Sequence, residues 1–400
     1  MTRRLYHDDA YALTFSARVQ HTRLDGDVTR VVLDESAFYP ESGGQMADHG
    51  TLGGVDVVDV QVVDDVVEHT LVTTALSFES GDLVDGVIEG RRRRLHRQLH
   101  TGQHILSQAA WRLFKAKTVS SRLGETGCNL DLDVDALTGG QVEDLLGTVH
   151  DVIDDDTAIR AYFPDDAELN RLDLRRSPKV DDGIRVVDID GYDITPCGGT
   201  HCRSAGEVGL VHVFSTERVR KTLRLWFDAG SRARQRLRDS DLVLQKLKAP
   251  LNASGAAVVD AVAKLQDDLR QQTLATKIAH DKWLTLFGET FQHDPDLLQD
   301  GAGIVVVDDV PPKALSALAQ HGLRLDGCDA FCAVSVNGDG SGHIVVVGPD
   351  GSDQRALFKA VADAHDGKGG GRPNAQQGRL ATTTSVADSF RTAVRATRGL

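Results

Sequence analysis

Two short stretches carry side chains that could share a metal ion. In "HTGQH" (100–104), His100 and His104 stand four residues apart in a segment of helical spacing. Their imidazoles would therefore project from one helix face, about a turn apart. Such a pair can bind one zinc, but no glutamate lies between them to act as the general base of a zinc protease. In "TPCGGTH" (195–201), Cys197 and His201 are also four apart, here across two glycines that argue for a loop. With the helix pair they would complete a tetrahedral set of three histidines and one cysteine. Neither stretch decides the matter alone. His96 lies a turn back on the same stripe, and Cys202 is a rival ligand. The glycine turn also reads as a reactive thiol or as a plain turn.

The elements that must position these residues follow from periodicity. From 91 to 116, "RRRRLHRQLHTGQHILSQAAWRLFKA" has no proline, one internal glycine and apolar residues at helical spacing, which predicts one long helix. Before it, residues 28–89 read as β structure. "VTRVVLD" alternates, and "VDVVDVQVVDDVVEHTLV" predicts two strands around Asp64 and Asp65. Between them "FYPESGGQMADHG" (38–50) reads as a loop. Strands are expected at 118–121, 128–134, 157–163 and 184–189, with a helix at 139–155 and a strand pair after 207. Residues 231–292 look helical with a break at 249–255. From 302 strands and helices alternate, predicting a small α/β domain that ends in a glycine-rich loop at 367–379 and a final helix.

Composition narrows the class. The 400 residues carry a formal net charge of −14, with 48 Asp against 11 Glu and 33 Arg against 12 Lys. This Asp-rich, Lys-poor balance resembles proteins of high-salt cytoplasms and argues against a generally basic nucleic-acid binder, though not against local patches. Basic residues do cluster, at Arg91 to Arg94, Arg171 to Arg176, Arg218 to Arg224 and Arg232 to Arg238. Five unevenly spaced cysteines are no disulfide framework. Without a signal peptide or a membrane-length apolar run, a cytoplasmic protein is expected.

"HTGQH", followed about a hundred residues later by "CGGTHCRSAGEVG", resembles the editing domain of alanyl-tRNA synthetase and its free-standing relatives, the AlaX proteins. "FYPESGGQMADHGTL" is similar to the glycine-rich motif of the N-terminal domain in longer AlaX types. "GKGGGRPNAQQGR" is similar to the signature of the C-terminal DHHA1 domain. The four motifs stand in the family's order over nearly the whole chain. The resemblance implies an α+β fold with an N-terminal β-barrel-like domain (1–90), a zinc-containing α/β editing domain (91–230), a helical linker (231–295) and a small α/β DHHA1-like domain (296–400). Position 1 opens almost directly into the editing portion, so editing without aminoacylation is expected.

The resemblance also implies Zn2+ held by His100, His104, Cys197 and His201. The implied reaction is deacylation of alanine tRNA mischarged with serine, and with glycine through the "SGGQ" loop, at the 3′-terminal adenosine. tRNA contact by the DHHA1 domain and a homodimer through the C-terminal half belong to the same expectation. Such a site must hydrogen-bond the seryl hydroxyl, because an apolar pocket rejects an added hydroxyl only about a hundredfold. The candidates for that contact are Gln45, Gln103, Ser120 and Ser121. Gln103 stands where the family often has threonine, and Ser120, Ser121 and Arg122 stand where many synthetases carry a glutamine. A non-catalytic tRNA-binding module with a structural zinc is the competing expectation. A phosphodiesterase reading lacks its aspartate-rich metal motif.

Overall fold

The alternation that marks strands in the first ninety residues belongs to a closed barrel. The structure, a computed structural model, describes residues 1–178, 183–291 and 297–400, which form two units, Met1–Lys246 and Leu247–Leu400. In the first unit the strands Thr14–Asp25, Val28–Leu33, Val66–Leu71, Val55–Val63, Gly50–Leu52 and Leu83–Ile88 hydrogen-bond in that order and close on themselves. Every second residue of Val28–Leu33 and Leu83–Ile88 points inward, joining Leu52, Val60, Val67 and Leu71 in a barrel core. Asp64 and Asp65 turn the chain with φ of 47° and 65°, the two positive values that a right-twisted two-residue hairpin requires. Thr14–Asp25 lies outside the β region read from the sequence. Phe15, Ala17 and Val19 alternate toward the barrel core, but the rest of the strand, Gln20–Asp25, is exposed or half-buried and breaks the pattern.

The long helix spans Gly90–Phe114 and stops at Lys115, in the left-handed conformation with its N–H on the Trp111 carbonyl. From His96 to Ser107 every residue is buried, so the helix is the axis of a core rather than a surface stripe. One side carries the antiparallel sheet Val211–Val219, Thr222–Ala229, Cys128–Leu132, Thr118–Leu123. The helix Gly139–Asp154 packs beside it, opened by Thr138 and Gln141 in a capping box. A second sheet runs Ile159–Tyr162, Val186–Ile189, Asp193–Pro196. Its last strand delivers the chain straight into Cys197.

Helices cover Gly230–Leu251 and Ala257–Phe291. The second unit holds a six-stranded sheet in the order Leu298–Gln299, Ala302–Asp308, Ala330–Val336, Gly342–Val347, Ala375–Leu380, Lys368–Arg372. Ala302–Asp308 and Ala330–Val336 are parallel, joined through the helix Pro312–Gly322. The helices Arg355–Ala364 and Val386–Arg398 supply much of the other core. The stretch 367–379 is not the loop its glycines suggest but a hairpin, Lys368–Arg372 against Ala375–Leu380. A Cβ at Gly369 would lie 2.1 Å from the Gln377 carbonyl, and one at Gly371 2.2 Å from that of Ala375. Here glycine permits close strand approach rather than flexibility. Among the described residues no helix is long and apolar enough to cross a membrane.

Candidate metal centre

The helix Gly90–Phe114 sets His100 and His104 one turn apart, and the turn after Asp193–Pro196 brings Cys197 and His201 over them. One ligand atom from each of the four lies within 4.8 Å of the others. The Cys197 Sγ is 3.4 Å from His100 Nε2 and 3.3 Å from His201 Nε2. His96 and Cys202, open alternatives by spacing, are buried elsewhere and do not join the cluster. A Cβ on Gly199 would fall 2.2 Å from the His100 ring, so the second glycine of "CGGTH" is there to let the turn close on the helix.

The Nδ1 atoms of the three imidazoles are each engaged or faced from behind, which leaves the Nε2 atoms for the centre. His100 Nδ1 donates to Gln45 Oε1 at 2.8 Å. His201 Nδ1 lies 3.2 Å from Thr101 Oγ1, whose oxygen also accepts the Cys202 N–H. His104 Nδ1 faces Asp193 Oδ2 at 3.7 Å, beyond hydrogen-bond length, and has no other polar partner among the described residues. Asp193 in turn is gripped by Arg175 through Nε and Nη2, at 2.8 and 3.2 Å. Asp193, Thr195 and Cys197 alternate, and Thr195 Oγ1 also donates to Asp193. Asp193, Thr101 and Thr200 are not singled out by sequence, and Arg175 only as a member of a basic cluster. For Asp193 a signal existed, the two-residue spacing to Thr195 and Cys197.

Electrostatics follow the crowding. Burial opposes a thiolate at Cys197, but His100 and His201 beside it outweigh burial and hold its pKa well below the ordinary thiol value. Burial and the neighbouring His100 push His201 down to about 3. At His104 burial favours the neutral ring, yet Asp193 and Cys197 together raise its pKa. The cluster thus presents a thiolate at Cys197 and a neutral ring at His201 in a desolvated place, the forms of these groups that bind a divalent cation.

The centre opens on a cavity of about 920 Å³ whose wall includes His100, Gln103, Thr118, Ser121 and Cys197. Gln103 Nε2 donates to Ser107 Oγ, and among the described residues its Oε1 accepts nothing. Ser121 lies on the strand Thr118–Leu123, which Gly44 meets so closely that its carbonyl accepts the Leu123 N–H. Ser120 Oγ is turned to Asp131. Gln45 is fully buried and its amide is committed: Oε1 to His100 and the Thr200 N–H, Nε2 to Thr200 Oγ1. Many of the arginines in the basic clusters are spent internally. Arg93 binds Asp48, Arg224 binds Asp131, and Arg232 and Arg236 share Asp228.

Residues 6–92 match the family described as tRNA synthetases class II (A), and residues 184–225 match the threonyl and alanyl tRNA synthetase second additional domain. An alanine–tRNA ligase of Ignicoccus hospitalis is 29% identical over 388 residues, which cover 93% of this chain and 40% of the ligase. The chain thus spans about two fifths of such ligases. The alanyl-tRNA editing protein Aarsd1 of Rattus norvegicus is 28% identical over 394 residues, covering 93% of this chain and 92% of that protein. The chain is homologous to the free-standing alanyl-tRNA editing proteins. Like these AlaX-type relatives it carries alanyl-tRNA synthetase-like domains, and the matched segments contain Gln45 on one side and Cys197 and His201 on the other. A solved C-Ala domain of Aquifex aeolicus alanyl-tRNA synthetase is similar at 20% identity and a TM-score of 0.22, over 24% of this chain and 92% of that one. That superposition is too loose to bear on the fold.

Proposed function

We propose that the chain is an aminoacyl-tRNA deacylase that hydrolyses the ester between a wrong amino acid, serine or glycine, and the 3′-terminal adenosine of alanine tRNA, with Zn2+ held by His100, His104, Cys197 and His201. The observation that carries this reading is the convergence of those four ligand atoms within 4.8 Å, with His100 and Cys197 on the wall of a substrate-sized cavity. The donor set fits zinc. Bond lengths of about 2.05 Å to nitrogen and 2.3 Å to sulfur make the N···S edge of a tetrahedron about 3.6 Å, against 3.3 and 3.4 Å here. A cavity of that volume matches a ligand of nucleoside size carrying an acyl group.

Bound there, zinc supplies Lewis acidity toward an ester carbonyl or lowers the pKa of a water toward about 7. The protein's own contribution is positioning. Gln45 and Thr101 hold the rings of His100 and His201, and Asp193 faces that of His104. Gln103 offers Oε1, an acceptor without a partner, to the hydroxyl of a seryl group, while Ser121 adds a hydroxyl on the cavity wall. An alanyl ester would leave that acceptor unsatisfied, which disfavours it beyond what size discrimination achieves. Contact of the DHHA1-like unit with tRNA, dimerisation through it and a cytoplasmic site of action complete the proposal.

The deciding assay incubates the chain with seryl, glycyl and alanyl esters of alanine tRNA and follows ester loss, with metal content measured in parallel. Loss of the seryl ester, sparing of the alanyl ester and abolition by His104→Ala are expected. Persistence of all three esters with stoichiometric zinc bound would refute catalysis. It would favour the second reading, a tRNA-binding module with structural zinc, which the full set of four protein ligands supports.

A further inference from the structure

Arg185 is only 6% exposed, yet no carboxylate lies within ion-pair distance of it among the described residues. Its Nη1 is used up on the motif turn, donating to the carbonyls of Cys197 at 3.1 Å and Gly199 at 3.0 Å. Its Nε is buried without a partner, and Nη2 makes no hydrogen bond among the described residues. These two atoms form one edge of the guanidinium plane. The same edge grips Asp48 in Arg93, Asp193 in Arg175 and Asp131 in Arg224. In Arg185 that bidentate fork is intact and vacant, and the residue lines the cavity beside the metal centre. A buried cation left unpaired is costly unless something anionic arrives.

Among the described residues the lining is basic although the chain is acidic: Arg4, Arg176 and Arg185 face one carboxylate, Asp65, which is already 3.7 Å from Arg4. An aminoacyl ester at the centre carries a cationic amino group, so the anion of the substrate lies in its RNA part. We propose that Arg185 is a positioning residue whose free Nε–Nη2 edge clamps the phosphate joined to the 5′ carbon of the terminal nucleoside, fixing the ester against the metal centre. This rests on the reading that the cavity receives an aminoacylated RNA end. Arginine is the residue suited to such a fork, because two parallel charge-assisted bonds need its planar geometry.

The test uses the zinc-loaded full chain and compares adenosine 5′-monophosphate with adenosine by equilibrium binding, for the native chain, Arg185→Lys and Arg185→Gln. The nucleotide is expected to bind about ten- to a hundredfold more tightly than the nucleoside, with the ratio reduced in Arg185→Lys and near one in Arg185→Gln. The second arm measures KM and kcat for seryl esters of the nucleotide and of the nucleoside. Loss of positioning raises KM for the phosphorylated ester selectively. A merely structural role lowers both esters equally, together with zinc content and melting temperature, and overturns the proposal. Equal binding of nucleotide and nucleoside by the native chain overturns it as well. So does displacement of the nucleotide by free serine, which would assign the fork to a carboxylate. Should Arg185→Gln not fold, Arg185→Lys and the native ratio decide. Nucleotide binding needs no turnover, so an inactive chain that still prefers the phosphate refutes the deacylase reading alone.

Discussion

Removing the carboxylate of Asp48 should strand the most deeply buried cation of the first unit. Arg93 and Asp48 are both fully buried, and Nε and Nη2 of Arg93 reach both carboxylate oxygens at 2.5 to 3.1 Å. Arg93 also donates to the carbonyls of Ala10 and Ala37, and Asp48 accepts the Tyr39 N–H at 2.7 Å. The pair thereby ties the start of the long helix to the loop that carries Gln45. In Asp48→Ala the guanidinium keeps two carbonyl partners but loses its counter-ion, and the Tyr39 N–H loses its acceptor. Breaking one side of a buried pair costs about 3–5 kcal/mol. For a unit of this size each kcal/mol lowers Tm by about 2–4 °C, so a fall of roughly 6–20 °C is expected. Arg93→Met should cost a similar amount, leaving the carboxylate unpaired. The double variant Arg93→Met/Asp48→Ala should cost clearly less than the sum, because the second change removes the charge the first one strands. Thermal and urea melts followed by circular dichroism measure all four corners of the cycle. A Tm change under about 2 °C in Asp48→Ala, or strictly additive costs, would refute the reasoning.

Three further outcomes follow from the site and the barrel. Gln45→Ala frees the Nδ1 of His100 and should weaken metal binding by about 10–100-fold, read by competition with a chromogenic chelator. Unchanged affinity would show that Gln45 does not orient the ring. Gly199→Ala places a Cβ where the His100 ring stands, so metal content should drop although the barrel still melts cooperatively; full occupancy would contradict the close approach. His69 is buried in the barrel between Ser36 and the Val31 carbonyl, and burial lowers its pKa from 6.5 to about 4. The folded chain therefore binds fewer protons than the unfolded one between those values. Its contribution is present above pH 6.5 and is lost as pH falls toward 4, about 3 kcal/mol in all. In His69→Gln the urea midpoint should depend less steeply on pH across that window.

The site was legible where chemistry and local period coincide. "HTGQH" sits in a segment whose 3.6-residue pattern survives its many polar residues, so its two histidines could be placed on one face from spacing alone. The pairing with "CGGTH" followed from the need for two more ligands and was strengthened by the family resemblance, because no local pattern says that a turn a hundred residues later closes over that helix. Less legible was the role of Gln45. Its loop has the composition of a turn, and only the three-dimensional closure shows both ends of its amide already spoken for by His100 and Thr200. The stretch 367–379 misled because glycine-rich composition is shared by loops and by strands that must approach closely. Thr14–Asp25 escaped because its alternation, Phe15, Ala17 and Val19, is short and gives way to an exposed polar half.

The contact of Gln45 with His100 and Thr200 spans 55 and 155 residues of sequence. Contacts of such separation form late, since loop closure must be complete before they can repay its entropy. The histidines of the helix can meet early, but their third and fourth companions are oriented only when the barrel loop has docked and the last strand has delivered its turn. A metal bound by these four residues would therefore be captured at the end of maturation of the first unit rather than at its beginning. A chain emerging from synthesis can bring the four ligands together only after residue 201 has been made and folded back onto the helix.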